Sequence, residues 1–414
     1  MNKVFKVGLV YINTNNIGDI VIFDTTKYLI KKSLASMGID NYKIVPIDMG
    51  ERVAGQSDWP ETFAAEQAKQ YADAPEFVRE WKSTKLYYYF QQNELPKLDV
   101  LDLIVFAGGG LIKFHQQYFH MYIDEVTAVA ERERIPVIFN AVGIEGYDKS
   151  DPRCQCLEAA LHRSCVKAIS TRDNLAMLQQ SYLATSRLTA TLVSDPALWV
   201  KEAYEITAGE RQAVGLGVIR PEIFSLYGVE APREAFLKFY KMIITALEKE
   251  GVEYKLFTNG ARRDHRFIEE IRLYMRRGEK FNDHVEKIPK NGKALATIIN
   301  SYSRLLTCRM HAAVIAYALN IPAVSVVWNK KLEYFAELTE QPDNLIFSKD
   351  FEDKSLVMKK ILESSAPGVN EAYKNSDYDF IRKYIKRYYR RRYVVKGMRY
   401  GRALKHKMTT KSAR

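Results

Sequence analysis

Cys308-Arg309-Met310-His311-Ala312-Ala313-Val314-Ile315-Ala316-Tyr317-Ala318-Leu319-Asn320-Ile321-Pro322-Ala323-Val324-Ser325-Val326-Val327 decides how this chain reads. The run Ser303-Arg304-Leu305-Leu306-Thr307 brings in a buried strand, and a helix opens at Arg309 to His311. Pro322 marks a turn, and a second buried strand follows. The helix is built of small apolar residues, so it packs closely on a sheet. Its first turn nevertheless carries a guanidinium and an imidazole. In a parallel α/β sheet that turn lies on the carboxyl edge, where ligands bind. A helix N-terminus there offers free N–H groups and the positive end of a dipole to an anion. Two readings of the pair stand at this point. Arg309 and His311 face a small dianion, or Arg309 pairs with a structural carboxylate and His311 is a half-buried histidine.

The same strand–helix alternation extends in both directions. Val4 to Ile12, Tyr42 to Ile47, Leu101 to Phe106, Pro136 to Ala141, Val166 to Ser170 and Leu188 to Val193 read as strands. After a polar connector at Glu205 to Gln212 the pattern restarts with strands at Ala213 to Ile219 and Tyr254 to Thr258. Alternating strands and helices argue for parallel sheets covered on both faces. The expected architecture is α/β, with two Rossmann-like domains facing a cleft. Residues 1–206 would form the first and residues 207–350 the second. Residues 351–414 would supply C-terminal helices and a basic tail. The aromatic segment Trp59 to Leu95 fits no element and reads as a helical insertion or lid.

The 414 residues are 47% apolar and 27% charged, ordinary values for a globular protein. The net charge of +12 is uneven. Lys374 to Arg414 carries fifteen Lys and Arg against two Asp, or +13, which leaves the rest of the chain at −1. A charge argument about partners therefore concerns the tail. Between Tyr378 and Arg402 tyrosines and isoleucine alternate with basic residues, as in an amphipathic helix that meets an anionic membrane surface. Nucleic acid is the competing partner and a solvated tail the plain alternative; no nucleic acid is expected. No secretory signal and no spanning segment is read, so a cytoplasmic protein is expected, peripheral at the inner membrane face. The four cysteines lack metal spacing, and no metal or cofactor is expected.

Several strand ends carry chemistry, each with a structural alternative. Gly108-Gly109-Gly110 follows a buried strand, as a ligand-facing loop or a tight strand-to-helix turn. Asp19 after Gly18 places a carboxylate at the first strand–helix junction, or caps the helix. Arg172-Asp173 offers a reaching arginine or a structural ion pair. Arg220, Arg309 and Lys330-Lys331 bring cations from three strand ends of the second half, and Arg forks suit phosphate and carboxylate oxygens. His265 and His284 read as solvated loop histidines.

This ordered set resembles the polysaccharide pyruvyltransferase family. The matching pieces are Asn16-Ile17-Gly18-Asp19, Ala107-Gly108-Gly109-Gly110, Ser170-Thr171-Arg172-Asp173, Ser194-Asp195-Pro196-Ala197, Ile219-Arg220, and Arg309-Met310-His311 with Lys331 twenty residues on. The resemblance implies a fold like the B-type glycosyltransferases. It also implies transfer of a pyruvyl group from phosphoenolpyruvate to two sugar hydroxyls, as a ketal; the acceptor expected here is a lipid-linked glycan of a surface or extracellular polysaccharide, on the side of the first domain, with the donor on the second. Arg220, Arg309, Lys331 and Arg172 then fall on donor-binding positions, with His311 as general acid and Asp19 orienting or deprotonating the acceptor beside the Gly108, Gly109, Gly110 loop. The first turn departs from the more usual Gly-Asn-x-Gly-Asp, which leaves the acceptor open. Two rivals remain: a nucleotide-sugar glycosyltransferase, for which Glu333 is the one carboxylate near the expected place, and a non-catalytic glycan-assembly protein.

Overall fold

The alternating pattern becomes two parallel sheets in the computed structural model, which describes residues 4–14, 16–50 and 58–391. By its contacts the chain forms two compact units. One comprises Met1–Ile12, Thr26–Val193 and Asn375–Arg414, the other Asn13–Thr25 and Ser194–Lys374.

The strands of the first unit are β1 (Phe5–Tyr11), β2 (Tyr42–Asp48), β3 (Leu103–Phe106), β4 (Gly109–Lys113), β5 (Val137–Glu145), β6 (Val166–Thr171) and β7 (Thr191–Leu192). Their order is β2-β1-β3-β5-β6-β7, with β4 also on β5, and every pairing is parallel. The continuous apolar run of β3 is fully buried, as a strand covered on both faces requires. Leu188 to Val193 shortens to the two-residue β7, because its outer residues find no partner strand beyond it.

Gly108-Gly109-Gly110 is neither a turn into a helix nor a plain loop. Gly108 and Gly109 hold φ of 94° and 88°, breaking β3 from β4, while both strands lie beside the same β5. A side chain is strained in that region, which is why glycine stands there. Across from the break β5 bulges: Ala141 has φ 49° and the register slips between Phe139 and Val142. Strand β6 repairs the bulge with side chains. Ser170 Oγ accepts from the Ala141 N–H at 2.8 Å, and Thr171 Oγ1 donates to the Val142 carbonyl at 2.7 Å.

The segment that fits no element in the sequence folds as three short helices, α2 (Phe63–Gln70), α3 (Glu76–Lys82) and α4 (Lys85–Asn93), following the long α1 (Ile17–Ala35). They gather on the fully buried Trp81, whose ring meets Tyr122 at 4.5 Å and Tyr118 at 5.1 Å. Beside it Lys82 pairs with Glu125 and with the Tyr87 hydroxyl. Helix α5 (Phe119–Arg132) adds His120, only 3% exposed. Burial, and then the charge of Arg153, push its pKa down from 6.5 to about 4. His120 is therefore neutral in the folded state, whereas the unfolded chain takes up a proton near 6.5. Stability is retained above that value and lost as pH falls from 6.5 toward 4. Urea unfolding at pH 7 and pH 4.5 should show about 2–3 kcal/mol of acid loss from this group, removed in His120→Phe.

The final helix, α13 (Glu371–Tyr389), corrects one expectation in its described part. Its apolar stripe, Phe380, Ile381, Ile385 and Tyr388, is buried within the first unit, where Phe5 and Tyr389 meet edge-on at 5.4 Å. The stripe serves the protein core rather than a membrane. Arg382, Lys383, Lys386, Arg387, Arg390 and Arg391 form its exposed basic side. The rest of the basic tail, from Arg392, lies outside the described residues. No described helix is long and apolar enough to cross a membrane.

In the second unit β8 (Val214–Gly217), β9 (Tyr254–Phe257), β10 (Arg304–Thr307), β11 (Ala323–Val326) and β12 (Leu345–Ile346) form a parallel sheet of order β12-β11-β10-β8-β9. Around it lie α7 (Arg233–Lys249), α8 (Arg262–Tyr274), α9 (Gly292–Asn300), α10 (Met310–Ala318), α11 (Lys330–Leu338) and α12 (Lys354–Glu363), while α6 (Pro152–His162) belongs to the first unit. Every residue of α10 is buried, as its small apolar sequence requires.

Candidate functional site

Three neighbouring strands of the second unit end in cations. Strand β10 runs into Arg309, β8 on one side leads to Arg220, and β11 on the other leads to Lys330 and Lys331. The predicted cations thus leave the sheet along one edge of a single unit. Lys331 opens α11, where the Asn329 side chain accepts from its N–H at 2.9 Å. At α10 the N-cap residue is Arg309, whose side chain makes no cap hydrogen bond; its own N–H donates to Thr307 Oγ1 at 3.0 Å.

Sequence reading missed the carboxylate that organises this edge. Asp264, in the first turn of α8, is completely buried. One of its oxygens accepts from Arg309 Nη2 at 2.5 Å; the other accepts from Arg220 Nη1 at 3.0 Å and from the Arg220 N–H at 3.3 Å. A single carboxylate therefore sets the orientation of two guanidiniums from different strands. Arg309 does pair with a structural carboxylate, as the plainer reading had it, yet Asp264 is one charge against two. The available signal was a lone acid among Arg262, Arg263 and Arg266 just past a strand end.

His311 sits on the second residue of α10 and is 7% exposed. Its Nε2 lies 3.9 Å from an oxygen of the buried Asp195, whose other oxygen caps the turn Pro196–Trp199 by accepting from the Ala197 N–H. The imidazole also rests against Gly18. A Cβ on Gly18 would fall 2.3 Å from His311 Nδ1 and 2.8 Å from its Cβ. Two sequence motifs some 300 residues apart are thus in direct contact, and the glycine is there because the ring occupies its side-chain space. Gly18 lies in α1, where alanine suits the backbone better than glycine. Gly18→Ala should therefore push the imidazole aside. The expected result is a fall of about 10²-fold in kcat with a lowered melting temperature from the overlap; a folded variant with equal kcat would detach His311 from the chemistry.

Asn16, not Asp19, caps α1, its side-chain oxygen accepting from the Gly18 N–H at 3.3 Å. Asp19 accepts instead from Thr14 Oγ1 at 2.7 Å. This first turn is tied to the second sheet, since the Ile17 N–H donates to the Asn259 carbonyl at 2.8 Å and Tyr204 donates to Asp24 at 2.7 Å. Asp19, His311, Arg220, Arg309 and Lys331 accordingly belong to one compact unit.

Arg172 and Gly108–Gly110 belong to the other unit. Arg172 is buried, its N–H donating to the Val142 carbonyl. Asp173 does not cap the next helix, a place taken by Asn174. It accepts from the Ile144 and Asn174 N–H groups and so staples β5 to β6. Two histidines differ from expectation. His265 is in α8 with a buried Nδ1, and His284 stacks on Tyr254 at 4.4 Å. Next to Arg309, burial pushes the Cys308 thiol up to about 12, so it is no nucleophile at neutral pH.

A family model described as polysaccharide pyruvyl transferase matches residues 16–330. No curated protein matches the chain. Among solved structures, UDP-GlcNAc 2-epimerase from Methanocaldococcus jannaschii is 12% identical, with 92% of this chain and 100% of that chain covered and a TM-score of 0.54. The UDP-GlcNAc 2-epimerase from Neisseria meningitidis bound to UDP-GlcNAc is 10% identical, with 92% and 100% covered and a TM-score of 0.52. Identities this low speak for the fold alone, which is α/β with parallel Rossmann-like sheets, of the B-type glycosyltransferase-like class.

Proposed function

The chain belongs to the polysaccharide pyruvyl transferase family, and on that footing we propose that it moves a pyruvyl group from phosphoenolpyruvate onto two hydroxyls of a sugar in a surface or extracellular polysaccharide. The observation that supports this most is the convergence of Arg220, Arg309 and Lys331 from three adjacent strand ends on the unit that also holds His311. Phosphoenolpyruvate carries a phosphate and a carboxylate, and a site for it needs several fixed cations on one edge.

In the proposed chemistry His311, as imidazolium, gives a proton to the CH₂ carbon of the donor, making a methyl group and an electrophilic C2. One sugar hydroxyl adds to C2 and loses its proton. The second displaces phosphate and loses its proton in turn. Two hydroxyl protons leave, one replaces the proton given by His311, and one ends on phosphate. Asp195 faces the imidazole; the arginines hold the phosphate as it departs. Asp19, held by Thr14, orients or deprotonates an acceptor hydroxyl. Phosphoenolpyruvate is the co-substrate, and the scheme calls for no other cofactor. The family resemblance also assigns Arg172 to donor binding and the Gly108–Gly110 segment to the acceptor side. In this reading a lipid-linked acceptor brings the protein to the cytoplasmic membrane face, and the exposed basic side of α13 supports that assignment by suiting an anionic bilayer.

Calorimetric titration with phosphoenolpyruvate and with UDP-GlcNAc tests the donor. Binding of phosphoenolpyruvate is expected. Binding of the nucleotide sugar alone would reject pyruvyl transfer in favour of glycosyl transfer on the same fold.

A further inference from the structure

We propose that Asn259, together with Thr258, forms an uncharged part of the donor site, giving hydrogen bonds to the anion that Arg220 and Arg309 attract. This inference rests on the reading of the second unit as the donor half. Strand β9 lies beside β8, and the pairing continues past their ends, with the Val218 N–H donating to the Phe257 carbonyl at 2.9 Å. Ile219-Arg220 and Thr258-Asn259 therefore leave the sheet as neighbours. The segment that starts at Thr258 enters α8 a few residues later and there delivers Asp264, the holder of both guanidiniums. One short connection thus supplies three polar side chains to one edge.

Asn259 is 2% exposed and Thr258 3%. Asn259 Nδ2 and Thr258 Oγ1 are buried without a hydrogen-bond partner among the described residues. Protein interiors seldom leave such atoms unpaired, because each loses its bonds to water and gains none. The backbone at Asn259 is held in place, its carbonyl accepting from the Ile17 N–H at 2.8 Å. Arg309 Nε is a third buried donor with no partner on this edge. Each guanidinium already gives one N–H to Asp264, so part of its capacity is used. A phosphate monoester has three terminal oxygens that accept several hydrogen bonds at once. Nδ2, Oγ1 and Arg309 Nε are all donors, and such a set matches an acceptor-only ligand. The same turn fixes the loop that carries Gly18, so occupation of the anion site and placement of His311 are built from one segment.

The test is calorimetric titration of the full-length wild type, Asn259→Ala, Asn259→Asp and Thr258→Val with phosphoenolpyruvate, and separately with inorganic phosphate. Asn259→Ala is expected to weaken phosphoenolpyruvate about 10-fold, and Asn259→Asp, which adds a like charge, about 100-fold or more. Melting temperatures without ligand report folding; if Asn259→Ala is unstable, Asn259→Ser takes its place with the same expected loss. Folded variants that bind phosphoenolpyruvate and phosphate within twofold of wild type would overturn the proposal and leave the amide as internal hydration. Should wild type ignore phosphoenolpyruvate but bind phosphate, with Asn259→Ala weakening it, the subsite stands and the pyruvyl donor falls. Wild type binding neither anion removes both.

Discussion

Replacing His311 with glutamine is expected to lower turnover about 10²–10⁴-fold while leaving phosphoenolpyruvate affinity within a few-fold of wild type. The expectation follows from where the imidazole sits. It is walled by Gly18 on one side, faces the buried Asp195 on another, and lies in the same unit as three strand-end cations. Glutamine fills similar space and keeps a hydrogen-bonding group, but it has no proton to give at any working pH. The arginines and Lys331 remain, so the anion still binds. Phosphate release measures the first quantity and calorimetry the second. A variant that turns over normally would move the proton donor elsewhere. A variant that loses binding in equal measure would make His311 a ligand contact rather than an acid.

The second large effect belongs to Asp264. Asp264→Ala removes the charge that holds Arg220 and Arg309 and leaves two partly buried guanidiniums without an anchor. Breaking such a buried pairing costs about 3–5 kcal/mol, so the melting temperature without ligand should fall by several degrees. The variant offers a sharper sign as well. An anion that enters the site supplies the missing negative charge, and binding to the folded state stabilises it. Saturating phosphoenolpyruvate should therefore raise the melting temperature of Asp264→Ala by more degrees than that of wild type. Equal shifts in the two proteins would show that the ligand never meets these arginines.

The strand ends were legible in the sequence because a parallel sheet writes itself as short apolar runs followed by glycine, aspartate or arginine. The run from Cys308 to Val327 gave a strand end, a helix and a strand in one reading, and Arg309 and His311 appear there as expected. What stayed hidden was pairing at a distance. Asp264 is 44 and 45 residues from the arginines it holds, and nothing in its own neighbourhood says which side chain it meets. Gly18 entered the sequence reading only as the neighbour of Asp19, when its reason is the ring of His311. The glycine triplet was misread because a strand that breaks and resumes beside the same neighbour has no local signature. Helices of seven to nine residues, as between Phe63 and Asn93, are too short for their periodicity to stand out against so many aromatics. The C-terminal helix was amphipathic as read, but sequence alone does not say whether its apolar side meets lipid or the protein's own strands.

That helix bears on how the chain is made. Phe5 and Tyr389 touch at opposite ends of the polypeptide, and Ile381 and Ile385 finish a core whose strands were all synthesised before Ser194. On the ribosome the early half waits, its last wall missing, until nearly four hundred residues have emerged. A gene fragment stopping near Val193 should yield an aggregating product, whereas supplying residues 371–391 as a separate peptide should rescue its solubility.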